Sequence, residues 1–297
     1  RVSCGRLIVT DIVIGANGMV GSALMSYLAE AVGTFNVSTD NLLGGRKYEY
    51  LDITEKEKVN AFFEKHKPKR VFLAAANPHV DGCENPDTDK VNIHGVSSVI
   101  ENCDVYNSQI IFFSSSYVFD GKSQTPYKPH DITDPINRYG RQKESIEKII
   151  INREGLQYLI IRTVGVFGKE GRTKNFVSQV VKAVLENKRI HVPLDQTMNP
   201  IYAGDLAKTI IHLSDRYSGE IFHVAGNHCV SKYEFAIKIA YKLGVSKPHD
   251  LIVGVKSEDM KQVAIRPANG CLDCNTLQSH AIAIPNLEKG LEKFLES

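Results

Sequence analysis

The sequence has no tryptophan among its 297 residues and no apolar run long enough to cross a bilayer. A spanning helix needs about 20 consecutive apolar residues, and charged or polar side chains interrupt every hydrophobic segment of this chain well before that, so no membrane partner is expected. Charge of one sign is missing too. With 36 Lys and Arg against 34 Asp and Glu, the net charge of +2 gives no broad field to attract nucleic acid or anionic lipid. Cysteine is sparse: Cys4, Cys83, Cys103, Cys229, Cys271 and Cys274 are scattered along a chain too large to be a disulfide scaffold. That usage fits a reducing cytoplasm, in which disulfides are not needed. Cys271 and Cys274 form a lone C-x-x-C without the second pair or His-x-x-x-His that would complete a zinc site; both read as structural thiols, and no metal is expected. The first ten residues lack the apolar stretch and small-residue cleavage site of a secretory signal and read as a short lead-in.

What is present is alternation. From Asp11 to about Arg162, short β-rich runs alternate with helical stretches, the pattern of an α/β fold with a doubly wound parallel sheet. Strands are expected at 12–14, 35–38, 71–75, 110–113 and 158–161. Helix stripes are marked by Val20, Leu24 and Leu28 and by Val59, Phe62 and Phe63. After Phe167 the pattern loosens. Helices are expected near 176–185, 205–214 and 232–243, strands at 190–192 and 221–224, a turn at Asn199-Pro200, and a last amphipathic stretch over 287–295. The chain therefore reads as a dinucleotide-binding Rossmann unit over 1–163 and a smaller, mainly substrate-binding region over 164–297. A segment at about 197–225 is expected to return to the first unit, and the two parts to share a cleft.

Directly after the first strand stands Gly15-Ala16-Asn17-Gly18-Met19-Val20-Gly21, followed by a helix. Such a turn needs no Cβ where it bends and where it approaches a pyrophosphate, and the helix N-terminus supplies unpaired N–H groups and partial positive charge. Dinucleotide binding follows, with NADP or NAD as cofactor. Asp40, just beyond the second strand, suits the ribose hydroxyls of NAD. Arg46 could instead meet a ribose phosphate, although decoration of a solvent-facing loop is its simpler role. Asp52 and Ile53 are placed to flank the adenine, and Ala74, Ala75, Ala76 and Asn92 complete the expected cofactor-binding set.

The catalytic signal is Tyr139-Gly140-Arg141-Gln142-Lys143 together with Ser114-Ser115-Ser116 at the end of the preceding strand. Four residues on a helix bring Tyr139 and Lys143 to one face, where the ammonium is expected to favour the ionised phenol. Lowering the phenol from its usual value near 10 would suit it to protonate a carbonyl oxygen as hydride arrives. Ser115 would bond the same oxygen and align the carbonyl, and Lys143 also suits the nicotinamide ribose.

These residues resemble the dTDP-4-dehydrorhamnose reductases, within the extended short-chain dehydrogenases, over nearly the whole chain. The segment Ser114-Ser115-Ser116-Tyr117-Val118-Phe119-Asp120-Gly121 is similar to the family's Ser-Thr-Asp-Tyr-Val-Phe-Asp-Gly. Arg162-Thr163, Asp205-Leu206-Ala207 and Arg266-Pro267-Ala268-Asn269-Gly270-Cys271-Leu272-Asp273 match its later motifs. The resemblance implies reduction of a 4-keto-6-deoxy nucleotide-sugar, with Val80, Ser115, Ser116, Tyr117, Gly165, Arg266 and Asn269 near the substrate and a homodimer as the oligomeric expectation. Three departures stand out. Gly165 occupies the place of a sugar-packing tryptophan, which predicts a roomier pocket; Ser116 stands where aspartate is common; and Asn77-Pro78-His79 replaces a Tyr-Thr pair ahead of Val80-Asp81. An epimerase or dehydratase on the same scaffold stays open, as does a noncatalytic subunit like methionine adenosyltransferase β, which shares the Tyr and Lys.

Overall fold

The computed structural model describes residues 10–170 and 175–296; Cys4 and the lead-in lie outside them. Six strands of the first half, β1 (Asp11–Ile14), β2 (Val32–Phe35), β3 (Lys47–Tyr50), β4 (Arg70–Leu73), β5 (Gln109–Ser115) and β6 (Tyr158–Thr163), join a late strand, Glu220–His223, in one seven-stranded sheet. All its pairings are parallel. The order is Glu220–His223, β6, β5, β4, β1, β2, β3, so the winding reverses beside β1. Open parallel sheets bind ligands outside the carboxyl ends of their strands at that switch point.

The central strands β1, β4, β5 and β6 are mostly apolar because both faces of the sheet are covered there. In β1, Val13 joins one core with α1 (Met19–Tyr27) and a late helix, through Leu24, Leu206 and Ile210, whereas Ile12 and Ile14 point into another with Val59, Phe63, Val99 and Ile146. Period-two alternation puts neighbouring residues on opposite faces. The second core is closed by α2 (Lys56–His66), α3 (Val96–Val105) and α4 (Arg138–Ile151). Beyond β6, α5 (Phe176–Leu185), α6 (Ala203–Ser214) and α7 (Lys232–Lys242) follow; α6 is the late helix of the first core. A third core joins α5, α7 and the last helix, Leu287–Glu296, through Val177, Phe235, Ile239 and Leu291 around Phe167.

Three expectations need correction. The second strand lies at Val32–Phe35 rather than 35–38. Its Gly33 weakens any local strand signal, but a Cβ there would sit 2.6 Å from the Ala16 Cβ and 2.7 Å from the Tyr48 ring, so tertiary packing selects the glycine. The strand at 71–75 ends at Leu73, freeing Ala74 and Ala75 as loop. Finally, Cys271 is not a free thiol. It is disulfide-bonded to Cys229, while Cys83, Cys103 and Cys274 are free and buried. The two half-cystines meet because strand Val230–Ser231 pairs with Thr197–Met198, and Thr197 also bridges Asn269. No sequence spacing announces that convergence.

Candidate active site

At the carboxyl ends of β1, β4 and β5 a cleft of about 990 Å³ runs from the glycine turn into the second half of the chain. The three glycines of the turn serve different ends. Gly15 has φ of +83°, and a Cβ on it would lie 2.6 Å from the Ala75 nitrogen. At Gly21 a Cβ would come within 2.2 Å of the Gly15 oxygen, so helix α1 could not pack on the strand. Gly18 is ordinary in backbone (φ −78°) and has only the Gly15 oxygen, 3.3 Å from its would-be Cβ. The fold itself asks little of Gly18; a ligand lying across the turn would. Helix α1 begins there with no side-chain cap, leaving its first N–H groups as the natural seat for a phosphate.

Asp40, Asp52 and Ile53 line this end of the cleft with Asn17, Met19 and Val20. Asn17 is held by a bond from its amide to the Ser38 carbonyl at 2.8 Å. The Asp52 carboxylate accepts from the Thr54 N–H at 2.9 Å and hydroxyl at 2.7 Å. Burial alone would raise it, but these bonds and that to Asn36 hold it below the usual carboxylate range. Arg46 turns away, its guanidinium donating to the Ser26 and Ala29 carbonyls, and this accounts for it without a ribose phosphate.

Deeper in the cleft are Ala74, Ala75, Ala76, Val80, Ser115, Tyr117, Tyr139, Lys143, Gly165 and Arg266. Tyr139 lies in the first turn of α4, half-buried against Tyr117 with ring centroids 5.8 Å apart. The expected lowering of its phenol is not what the surroundings dictate. Burial, reinforced by Cys83 and Tyr117, pushes the phenol above its ordinary value, and only the Ser115 hydroxyl pulls it back. Lys143 does share the face, its ammonium 5.7 Å from the Tyr139 ring centroid and bonded to the Phe113 carbonyl at 2.7 Å. Burial brings it down to about 8, weakening the cation that was to ionise the phenol. Helical spacing revealed the neighbour but not the desolvation.

Three expected site residues stand behind the cleft wall. Asn92, in a π-helical turn over Lys90–Gly95, accepts from the Asn77 N–H at 2.8 Å and donates to the Gln142 side chain at 2.8 Å, and so braces the loop after β4 against α4. Asn269 is consumed by the carbonyls of Ser123 and Thr125, both at 2.9 Å, and by the Cys271 N–H. Ser116 is fully buried. Gly165 lines the cleft, but its φ is +58° and a Cβ would meet the Met198 sulfur at 2.8 Å. The backbone itself calls for glycine at 165, so the residue is more than a deleted platform.

From sequence alone Asn137 has no site role, and Ser114 and Thr163 enter only as members of motifs. Ser114 Oγ and Thr163 Oγ1 belong to residues lining the cleft, yet are buried without a partner among the described residues; buried polar atoms of that kind normally find one. These orphan groups, the uncapped α1 and Gly18 together fit a dinucleotide. Asn137 caps α4 by accepting from the Gly140 N–H at 2.8 Å, while its amide donates to the Ile265 carbonyl at 2.8 Å, next to Arg266. Gly140 allows the closeness of α4 to the Ser115 turn, since a Cβ there would lie 2.0 Å from the Tyr117 oxygen. Arg266 is set by Asp81, 2.8 Å away. Arg162, at the carboxyl end of β6, is buried in a two-bond pair with Glu147 of α4, at 3.0 and 2.6 Å.

The family model described as "RmlD substrate binding domain" matches residues 10–297. The chain is 32% identical over 284 residues to the dTDP-4-dehydrorhamnose reductase of Aggregatibacter actinomycetemcomitans, with 92% of each chain covered. Among solved structures it resembles a dTDP-4-dehydrorhamnose reductase from Bacillus anthracis in complex with NADP (TM-score 0.83, 26% identity, 97% of this chain and 99% of that one). It also resembles a hypothetical dTDP-4-dehydrorhamnose reductase from Sulfolobus tokodaii (TM-score 0.80, 30% identity, 91% and 94% covered). The glycine turn, the Ser115, Tyr139 and Lys143 arrangement and these likenesses lead to one conclusion: the chain belongs to the dTDP-4-dehydrorhamnose reductase family.

Proposed function

We propose that the protein reduces the ketone of a 4-keto-6-deoxy nucleotide-sugar, with NADP or NAD as its cofactor. The observation that carries this is a single cleft holding the glycine turn, Ser115, Tyr139 and Lys143, and Arg266. Gly15, Asn17, Gly18, Met19, Val20, Gly21, Asp40, Asp52, Ile53 and Ala74 to Ala76 would hold the dinucleotide, with Asn92 acting through the loop it braces. Val80, Tyr117, Gly165 and Arg266 would border the sugar and its diphosphate; an arginine fork suits that anion. When bound, the reduced nicotinamide supplies the hydride.

The chain's own residues manage the proton. A phenol pushed up by burial stays protonated at neutral pH, and the protonated form is the one that can give a proton to the carbonyl oxygen. Ser115 orients that oxygen. As the phenol gives its proton to that oxygen, Lys143 is the nearby cation that offsets the charge of the phenolate. We read 1–163 as the dinucleotide-binding unit and 164–297 as mainly substrate-binding, with Glu220–His223 contributed back to the sheet. We place the protein in the cytoplasm, where reduced dinucleotide is supplied, and take it to be a homodimer.

The test is a panel of 4-keto-6-deoxy nucleotide-sugars with NADH or NADPH, following loss of reduced-cofactor absorbance. Turnover with one of them is the expected result. No turnover, together with NAD retained through purification, would favour an epimerase; no turnover and tight association with a synthetase would favour a noncatalytic subunit.

A further inference from the structure

Arg266 is not the only cation on the substrate side of the cleft. Lys232 opens α7, directly after the Ser231 cap, which is closed by reciprocal bonds with Glu234 at 2.8 and 3.0 Å. It lines the same cleft as Arg266, and its ammonium donates to Gln196 Oε1 at 2.6 Å. Gln196 is itself fixed, its amide nitrogen 2.8 Å from Ser257 Oγ and 3.2 Å from Gln262 Oε1. Ser257 is tied in turn to the Asp195 carboxylate through its N–H at 3.0 Å and its hydroxyl at 2.6 Å. The lysine is thus held in place by neutral groups.

Its charge is left over. Arg266 has Asp81 beside it, but among the described residues no carboxylate pairs with Lys232. One ammonium hydrogen goes to Gln196, and an –NH₃⁺ carries three. Burial, with repulsion from Arg266, brings the lysine down to about 8. A half-buried cation without a counter-charge is unfavourable in the free protein, and an anion entering between Lys232 and Arg266 would relieve it. A purely structural lysine would be expected to meet a carboxylate.

We propose that Lys232 is an anion-binding residue of the substrate pocket, and that with Arg266 it takes the phosphate oxygens of the nucleoside diphosphate. This rests on the reading of the cleft as a nucleotide-sugar site. From sequence alone Lys232 looks like the solvent-facing start of a helix.

The experiment is calorimetric titration of the dinucleotide-loaded protein with dTDP and with UDP. Lys232→Met should weaken the better-bound diphosphate at least tenfold, Lys232→Arg should stay within about threefold of the parent, and NADPH affinity should be the same in all three. A second readout uses buffers of different ionisation enthalpy at pH 8. An anion favours the ammonium, so the parent should take up protons on binding, and its affinity should fall as pH rises further. The charged or titratable groups lining the cleft with it, apart from Asp40 and Asp52 at the dinucleotide end, are Arg266, Asp81, Glu170, His191, Tyr117, Tyr139 and Lys143, the last also brought down to about 8, with Asp195, Glu234 and Lys256 nearby. Lys232→Arg removes only Lys232 from that titration, so the difference from the parent isolates it. Retained diphosphate affinity in Lys232→Met, or unchanged proton uptake in Lys232→Arg, would reduce Lys232 to a brace for Gln196. Should Lys232→Met fail to fold, the proton uptake of Lys232→Arg decides. Failure of the parent to bind either diphosphate would instead overturn the nucleotide-sugar reading of the cleft, a result distinguishable from failure of the lysine alone.

Discussion

The two sides of the cleft are built by opposite means. The dinucleotide side comes from consecutive residues at strand ends: the glycine turn after β1, the alanines after β4 and the serines after β5. The substrate side is gathered from distant stretches, with Gly165, Gln196, Lys232 and Arg266 all lining it. Where a site is made of local turns, sterics write themselves into adjacent letters. Where it is made by convergence, each residue looks ordinary in its own neighbourhood.

The seam between the sides is where the largest effect is expected. Tyr139→Phe should lower turnover by about 10²–10⁴, the usual worth of a general acid, while leaving dinucleotide affinity nearly intact. Stopped-flow turnover and fluorescence titration of NADPH check the two halves of that statement. Unchanged turnover would remove Tyr139 from the chemistry and with it the idea that both sides serve one reaction.

The glycine turn offers a sharper division. Gly21→Val should destabilise the fold by about 3 kcal/mol or more, because overpacking against a fixed backbone forces the helix to move; the clash at 2.2 Å is with the Gly15 oxygen. Gly18→Val should leave the melting temperature within a few degrees and yet block NADPH binding. Thermal melts with and without cofactor separate the cases. Equal losses of stability would show that Gly18, like Gly21, answers to packing, and the turn would lose its claim on a ligand.

These contrasts show what was legible. Gly15, Gly18, Gly21, Ser115, Tyr139 and Lys143 could be found because strand, turn and helix periods put them together by short-range rules. The state of the phenol could not, since it depends on burial and on charge repulsion from Cys83 and Tyr117, residues whose approach no helical spacing predicts. Cys229 and Cys271 meet only through the pairing of strands around Thr197. Asn137 carried a visible signal, a capping residue ahead of the catalytic helix, but its second bond to Ile265 spans 128 positions.

That second bond makes Asn137 a positioning residue linking the two sides. Asn137→Asp keeps a good cap acceptor but turns a carboxylate oxygen toward the Ile265 carbonyl. KM for the nucleotide-sugar should rise several-fold, with kcat and NADPH affinity little changed. Asn137→Ala should lose the cap as well, about 1 kcal/mol of stability. If the aspartate variant lowers kcat and leaves KM alone, the residue serves only the helix, and the two sides are not coupled through it.

The smallest effect is expected at Gly165. Replacing Gly165 with an aromatic would seem the natural way to restore a sugar platform, but φ of +58° is a conformation that side-chain-bearing residues enter at a cost of about 1–2 kcal/mol. The cleaner probe is Gly165→Ala, which adds the strain and a single methyl. Its nearest neighbour would be the Met198 sulfur at 2.8 Å, the flexible end of a side chain, with the Pro200 Cα next at 3.3 Å. The methionine can shift, so the backbone term should dominate. A loss of about 1–2 kcal/mol in chemical denaturation, with KM for the nucleotide-sugar within about twofold, is the expected outcome. A large rise in KM at unchanged stability would mean that the added methyl reaches the sugar. Position 165, which borders the pocket as backbone, would then also touch the sugar through any side chain it carried.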